Sequence, residues 1–202
     1  MIFVKHVWRL SIKRSQELNS SLKSSANRMI LHNIEALIDK ALGKKRIILV
    51  GKAASGKDHA RKILQGMGFM YQIPFTTRPM RDGEVHAQDY YFMPEYKFKD
   101  LITVNFFYDY AIFNNWYYGT SNAQMKYSNV CFIMTPRGLS QMHPRDRQDS
   151  LVVYIDIPYE IRKERLMKRL DADSVERRLS TDEQDFLTFS NYDVIINDPN
   201  FD

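Results

Sequence analysis

The chain has 202 residues, 44% of them hydrophobic, with twelve Tyr, twelve Phe and one cysteine. That length buries one core, the lone Cys131 excludes a disulfide framework, and its setting in the apolar run "NVCFIM" reads as buried filler in a reducing, cytoplasmic protein. The net charge of +5 suits an anionic partner, whether nucleic acid, a membrane surface or nucleotide phosphates, so the distribution of charge has to decide.

The N-terminal "MIFVKHVWRLSIKRS" is broken by Lys5, His6 and Arg9, and no stretch reaches the roughly 20 apolar residues that span a bilayer. No membrane partner is expected. Basic and apolar residues alternate in "VKHVWRLSIKR" without a recognised fold, so nucleic acid is not the expected partner either. Residues 15–28 are Ser/Asn-rich and read as linker or frayed helix. Met29, Ile30, Ile34, Leu37, Ile38 and Leu42 then recur at helical spacing, with Gly43 as a stop.

"RIILV" (46–50) predicts a buried strand, followed by the loop "GKAASGKD" (51–58) and the helical "KDHARKILQGMG". A Gly-x-x-x-x-Gly-Lys pattern between a strand and a helix is where backbone N–H groups and a helix N-terminus cradle phosphates. Gly51 and Gly56 allow close backbone approach, Ser55 adds a small hydroxyl, and Lys57 would neutralise the β- and γ-phosphates. An ordinary Gly-rich turn is the competing reading of this loop alone.

"FMYQI" (69–73), "VCFIM" (130–134), "LVVYIDI" (151–157) and "DVIIN" (193–197) resemble further buried strands. Their continuous apolarity predicts an α/β fold with a parallel sheet flanked by helices. The aromatic stretch 74–128 reads as a small, mainly β insertion, and the charged stretch 158–186 as a lid of two short helices. The expected division is an extension at 1–43 and a domain at 44–202, whose core comprises 44–73, 129–157 and 187–202.

"TTRPMRDGEVHAQDYYF" (76–92), "FYDYAIFNNWYYGTS" (107–121), "RLMKRL" (165–170) and "VIIND" (194–198) together resemble the guanylate kinase family of P-loop nucleoside monophosphate kinases. The similarity runs from about Lys44 to Asp198. It implies ATP and a nucleoside monophosphate, GMP or dGMP, as partners, Mg2+ as cofactor, and in-line transfer of the γ-phosphoryl group. By resemblance, the ATP-binding set is Gly51, Ala53, Ala54, Ser55, Gly56, Lys57, Asp58 and His59, with Asn197 beside the adenine. Arg78 and Arg81 match the arginines that grip the monophosphate, and Tyr90 and Tyr118 the tyrosines that reach it. Asp109 and Thr120 match the residues that touch the base. Lys57, Arg78 and the lid arginines Arg165, Arg169 and Arg178 form the implied catalytic set, which stabilises spreading charge without a general base.

Four departures from the family pattern stand out. Asp58 replaces the Ser or Thr that ligates the metal, and a carboxylate there is itself a hard oxygen ligand. "MTPRG" puts Met134 and Pro136 where acids are expected, so Asp58 is read as partial compensation. Pro74 stands in place of a serine, and Asp109 is a methylene shorter than the family's Glu. A loop ending in "SGKD" also resembles some phage-type deoxynucleotide kinases, which widens the expected substrate to other deoxynucleoside monophosphates. Finally, the family continues beyond "VIIND" into a last helix, and the helix at 28–42 is expected to cover the surface that helix would have buried. The rival readings are a guanylate-kinase-like protein-binding module without catalysis and a related kinase of a phosphorylated sugar.

Overall fold

The computed structural model describes residues 43–113, 115–168 and 174–198. The linker at 15–28 and the helix expected over 28–42 lie outside the described residues. In chain order the elements are β1 (Arg46–Gly51), α1 (Lys57–Gly66), β2 (Met70–Tyr71), β3 (Phe75–Thr76), β4 (Tyr91–Phe92), α2 (Glu95–Thr103), β5 (Phe107–Phe113), β6 (Trp116–Ser121), β7 (Val130–Ile133), α3 (Pro136–Ser140), α4 (Pro144–Gln148), β8 (Ser150–Ile155), α5 (Tyr159–Met167), α6 (Val175–Phe186) and β9 (Val194–Ile196).

Every residue of β1 is buried. Ile47 and Leu49 pack on one face of the sheet with Leu64 of α1, Cys131, Leu151 and Val153, whereas Ile48 and Val50 pack on the other with Phe132, Met134, Leu139 and Val152. A strand covered on both faces is apolar at each position, which explains the absence of alternation in "RIILV". Cys131 is fully buried and burial pushes its thiol up to about 12, as befits filler. The sheet runs in the order β2-β7-β1-β8-β9, and all its neighbours are parallel. The chain leaves β1 toward β2 on one side and crosses back to β8 on the other. The carboxyl end of β1 therefore opens into the crevice where open α/β sheets bind ligands.

Strand β2 is shorter than the run 69–73. Pro74 offers no N–H to extend the ladder, and past Tyr71 only the bond from Gln72 N–H to Cys131 O (2.9 Å) continues it. Between β2 and β7 lies a second sheet, in the order β4-β3-β6-β5, with an aromatic core. Phe98 of α2 is fully buried and stacks on Phe107 at 4.1 Å. A Cβ on Gly119 would come within 2.8 Å of the Phe107 ring and 2.9 Å of Phe98, so glycine is what lets these rings close. Helix α2 is not foreshadowed by periodicity, because Phe98 is its one buried residue.

The charged segment forms α5 and α6. Leu166 and Leu179 pack directly on Ala54 of the loop, with Ala53 and Val175 beside them. The two alanines of "GKAASGKD" are thus the surface on which these helices rest.

Candidate nucleotide site

The chain leaves β1 at Gly51, where a Cβ would lie 2.5 Å from Ser55 Oγ and 2.7 Å from Ile155 O. Ala54 (φ 57°) and Gly56 (φ 94°) are both left-handed, a backbone curl that makes anion-binding concavities from N–H groups. No side chain caps α1 at Gly56. Ser55 is fully buried and its hydroxyl has no hydrogen-bond partner. Leaving such a group unmet costs about 1–3 kcal/mol, a strain the tight turn of this loop carries. The Lys57 ammonium curls back over the loop and donates to Gly51 O (2.7 Å) and Lys52 O (2.8 Å).

Helices α5 and α6 hold the loop from the far side. Ala53 N–H donates to Asp182 Oδ2 at 2.6 Å, Lys52 pairs with Glu183 at 3.0 Å, and Arg165 donates to Ala54 O at 3.1 Å. Arg162, almost wholly buried, braces both acids, reaching Glu183 at 2.6 Å and Asp182 at 3.5 Å. Burial raises the Asp182 carboxyl above its ordinary value, with Ala53 N–H, Lys57, Arg162 and Arg178 pulling it back.

Across the cavity, Arg78 is buried with its guanidinium 5.3 Å from the Tyr90 ring centroid and 5.6 Å from that of Phe92. It donates to Glu84 at 2.7 Å, and Glu84 also accepts from Arg81 N–H at 2.8 Å. Burial works to raise the Glu84 carboxyl, yet these two donors hold it below the usual carboxylate range. Burial likewise raises the phenols of Tyr90 and Tyr118, so both stay protonated donors. Asp109 and Thr120 are cross-strand partners on β5 and β6. Asp109 is 8% exposed, and its Oδ1 has no partner. Burial pushes its carboxyl up to about 6, against a hydrogen bond with Thr120. A Cβ at Gly138 would sit 2.6 Å from Asp109 Oδ2, so α3 approaches this carboxylate through a glycine.

One cavity joins these groups. Gly51, Ala53, Lys57 and Asp58 line one wall, and Arg78, Arg81, Tyr90, Asp109, Tyr118 and Thr120 the opposite one. Arg178, Asp182, Asp185 and Phe186 close a third side, and Pro74, Met134 and Pro136 also face it. Ala54, Ser55 and Gly56 form the loop behind the lining. His59 and Asn197 are exposed and do not line the cavity. Arg165 donates to Ala54 O of the loop and is not among the residues lining the cavity, and Arg169 lies outside the described residues.

Asp58 opens onto the cavity while its Oδ1 accepts from Arg61 Nε at 3.2 Å. Arg61 is buried over the Tyr71 ring and also faces Asp89 at 3.9 Å. Several residues of the site were not singled out from the sequence. Arg61 was detectable from its i,i+3 spacing to Asp58. Glu84, Arg162, Asp182 and Asp185 carried no such signal, since in charged segments they look like solvated surface.

The guanylate kinase family model matches residues 43–202. The guanylate kinase of Sulfurimonas denitrificans is 32% identical over 166 residues, which cover 75% of this chain and 79% of that protein. That of Mycoplasma pneumoniae is 26% identical over 200 residues, covering 91% and 80%. Among solved structures, the guanylate kinase from Anaplasma phagocytophilum superposes with a TM-score of 0.59 over 77% of this chain and 78% of its own, at 18% identity, a likeness of fold.

Proposed function

The chain belongs to the guanylate kinase family of nucleoside monophosphate kinases, and from that premise we propose that it transfers the γ-phosphoryl group of ATP to GMP or dGMP. One observation carries this reading: a phosphate loop and an arginine–tyrosine cluster face each other across a single cavity with a buried acid at its end. The γ-phosphorus–oxygen bond to the β-phosphate breaks as a monophosphate oxygen attacks in line, giving ADP and a nucleoside diphosphate.

Each wall has a separate task. The loop N–H groups and Lys57 hold the triphosphate. Arg78, already stacked and paired with Glu84, and Arg81 grip the monophosphate, while the neutral phenols of Tyr90 and Tyr118 donate to its oxygens. Asp109 and Thr120 accept from and donate to the base, so Oδ1 finds its partner there. Arg178 and Phe186, on the third side, limit access of water to the reacting phosphates.

The metal is Mg2+ in this reading. Among the described residues no group of three or more His, Cys, Asp or Glu forms a cage, and a lone carboxylate sharing the ion with phosphates and water is the arrangement Mg2+ favours at triphosphates. Asp58, facing the cavity, fits that part; when bound, the ion neutralises charge on the β- and γ-phosphates.

An ADP-release assay across the nucleoside and deoxynucleoside monophosphates tests the proposal. GMP and dGMP are expected to support turnover that Lys57→Ala abolishes. Turnover with a pyrimidine monophosphate alone would overturn the assignment of the base.

A further inference from the structure

The Ala53 N–H belongs to the loop that receives phosphate, and a carboxylate of the chain itself sits on it. Asp182 Oδ2 lies 2.6 Å from that nitrogen, shorter than most N–H···O bonds. The rest of its surroundings are those a phosphate oxygen seeks. Arg162 is 3.5 Å away, and Lys57 and Arg178 are near enough to favour its charge. Asp182 is only 5% exposed, so this is a built position rather than a surface pairing. Its neighbour Glu183 takes the Lys52 ammonium at 3.0 Å, which fixes α6 against the same turn of the loop.

We propose that Asp182 is a residue of the nucleotide site, an internal anion that occupies a phosphate seat of the loop and leaves it when a triphosphate arrives. The inference rests on the kinase reading above. Two anions cannot share one N–H in a site of low dielectric, so a triphosphate binds by exchanging with the carboxylate. Part of the binding free energy then goes into moving Asp182 off Ala53. In return, the loop is held in its receptive curl while empty, and its half-buried Ala53 N–H has an acceptor. Asp182 thereby sets the affinity for ATP without touching the monophosphate wall.

The full chain is compared with Asp182→Ala and Asp182→Asn. Calorimetric titration with inorganic tripolyphosphate, in excess chelator and again with Mg2+, reads the loop without an acceptor; KM values for ATP and GMP are measured beside it. Asp182→Ala should bind tripolyphosphate about tenfold tighter, equivalent to ~1.4 kcal/mol, with the larger gain in chelator. KM for ATP should fall in step while KM for GMP is unchanged. Asp182→Asn keeps an acceptor for Ala53 N–H without the charge and should give an intermediate gain, which guards against a misfolded alanine variant. Unchanged or weaker tripolyphosphate binding in both variants overturns the proposal, as does weakening confined to Mg2+, which would make Asp182 a metal ligand. A wild-type chain that binds neither ATP nor tripolyphosphate would instead sink the kinase reading itself.

Discussion

Asp109 is held at a cost that can be measured. Burial pushes its carboxyl up to about 6 from an ordinary 3.8, and at 1.36 kcal/mol per pH unit the gap corresponds to ~3 kcal/mol. The sign follows from proton counting. Between those two values the folded protein holds a proton that the unfolded chain has released, so this contribution is fully present below pH 3.8 and is lost as pH rises through about 6. In Asp109→Asn the term vanishes. The carboxamide places an N–H where Oδ1 has no partner, which takes back about 1 kcal/mol. Denaturant unfolding should find the variant ~2 kcal/mol more stable than wild type at pH ~7.5 and ~0.5 kcal/mol less stable at pH ~4, the two curves crossing between. Affinity for GMP should fall at least tenfold, since the acid that accepts from the base is gone. A stability difference constant from pH ~4 to ~8 would refute the reasoning, because it would place the ionised carboxylate in contact with compensating charge or water.

The pair at the end of the loop should behave as a unit: in a double-mutant cycle of Asp58→Ser and Arg61→Met, unfolding free energies should show ~0.5–1 kcal/mol of coupling, modest because the Asp58 side chain is 76% exposed. Strict additivity would mean that Gln65, Tyr71 and Asp89 hold Arg61 without help from Asp58. Gly51→Ala should lower stability by ~1–3 kcal/mol and raise KM for ATP, since the new Cβ meets Ser55 Oγ and the Ile155 carbonyl. An unchanged melting temperature would show that the strand-to-loop turn relaxes around a methyl group.

What could be read in the sequence divides along a physical line. The central strand announced itself because a strand covered on both faces has no polar position to interrupt it, as "RIILV" shows. The loop did so because close approach and left-handed turns leave few residue choices, and Gly51 and Gly56 are where those constraints bite. Arg78, Tyr90, Asp109 and Tyr118 were reached through a resemblance of motifs, and the structure brings them to one cavity with Lys57. Asp182 and Arg162 were not accessible this way. In "RKERLMKRL" and "RRLSTDEQDF" charges of both signs fill the helices, and which of them is buried depends on the contact of α5 and α6 with Ala53 and Ala54, a tertiary fact. Likewise α2 rests on the single anchor Phe98, too little for any period to show.

The placement of acids around the loop links these points. Met134 and Pro136 stand where the family resemblance leads one to expect carboxylates, and both are committed to structure. Met134 packs with Ile48, Val50, Phe132 and Leu139, and a carboxylate there would give up that packing for an apolar shell. Pro136 opens α3, where its missing N–H costs nothing and its fixed φ suits the first turn. Among the acids that line the cavity, those beside the loop come from helices, Asp58 from α1 and Asp182 and Asp185 from α6, whereas Asp109 of β5 and Glu84 lie with the arginine–tyrosine cluster. Beside the loop, two of the three acids therefore belong to α6, which rests on Ala53 and Ala54, and none to the end of β7. In the exchange proposed above, Asp182 leaves the Ala53 N–H, and Lys57, Arg78 and Arg81 face the incoming phosphates. Acids rooted in a buried strand could not make that exchange, since they have nowhere to move.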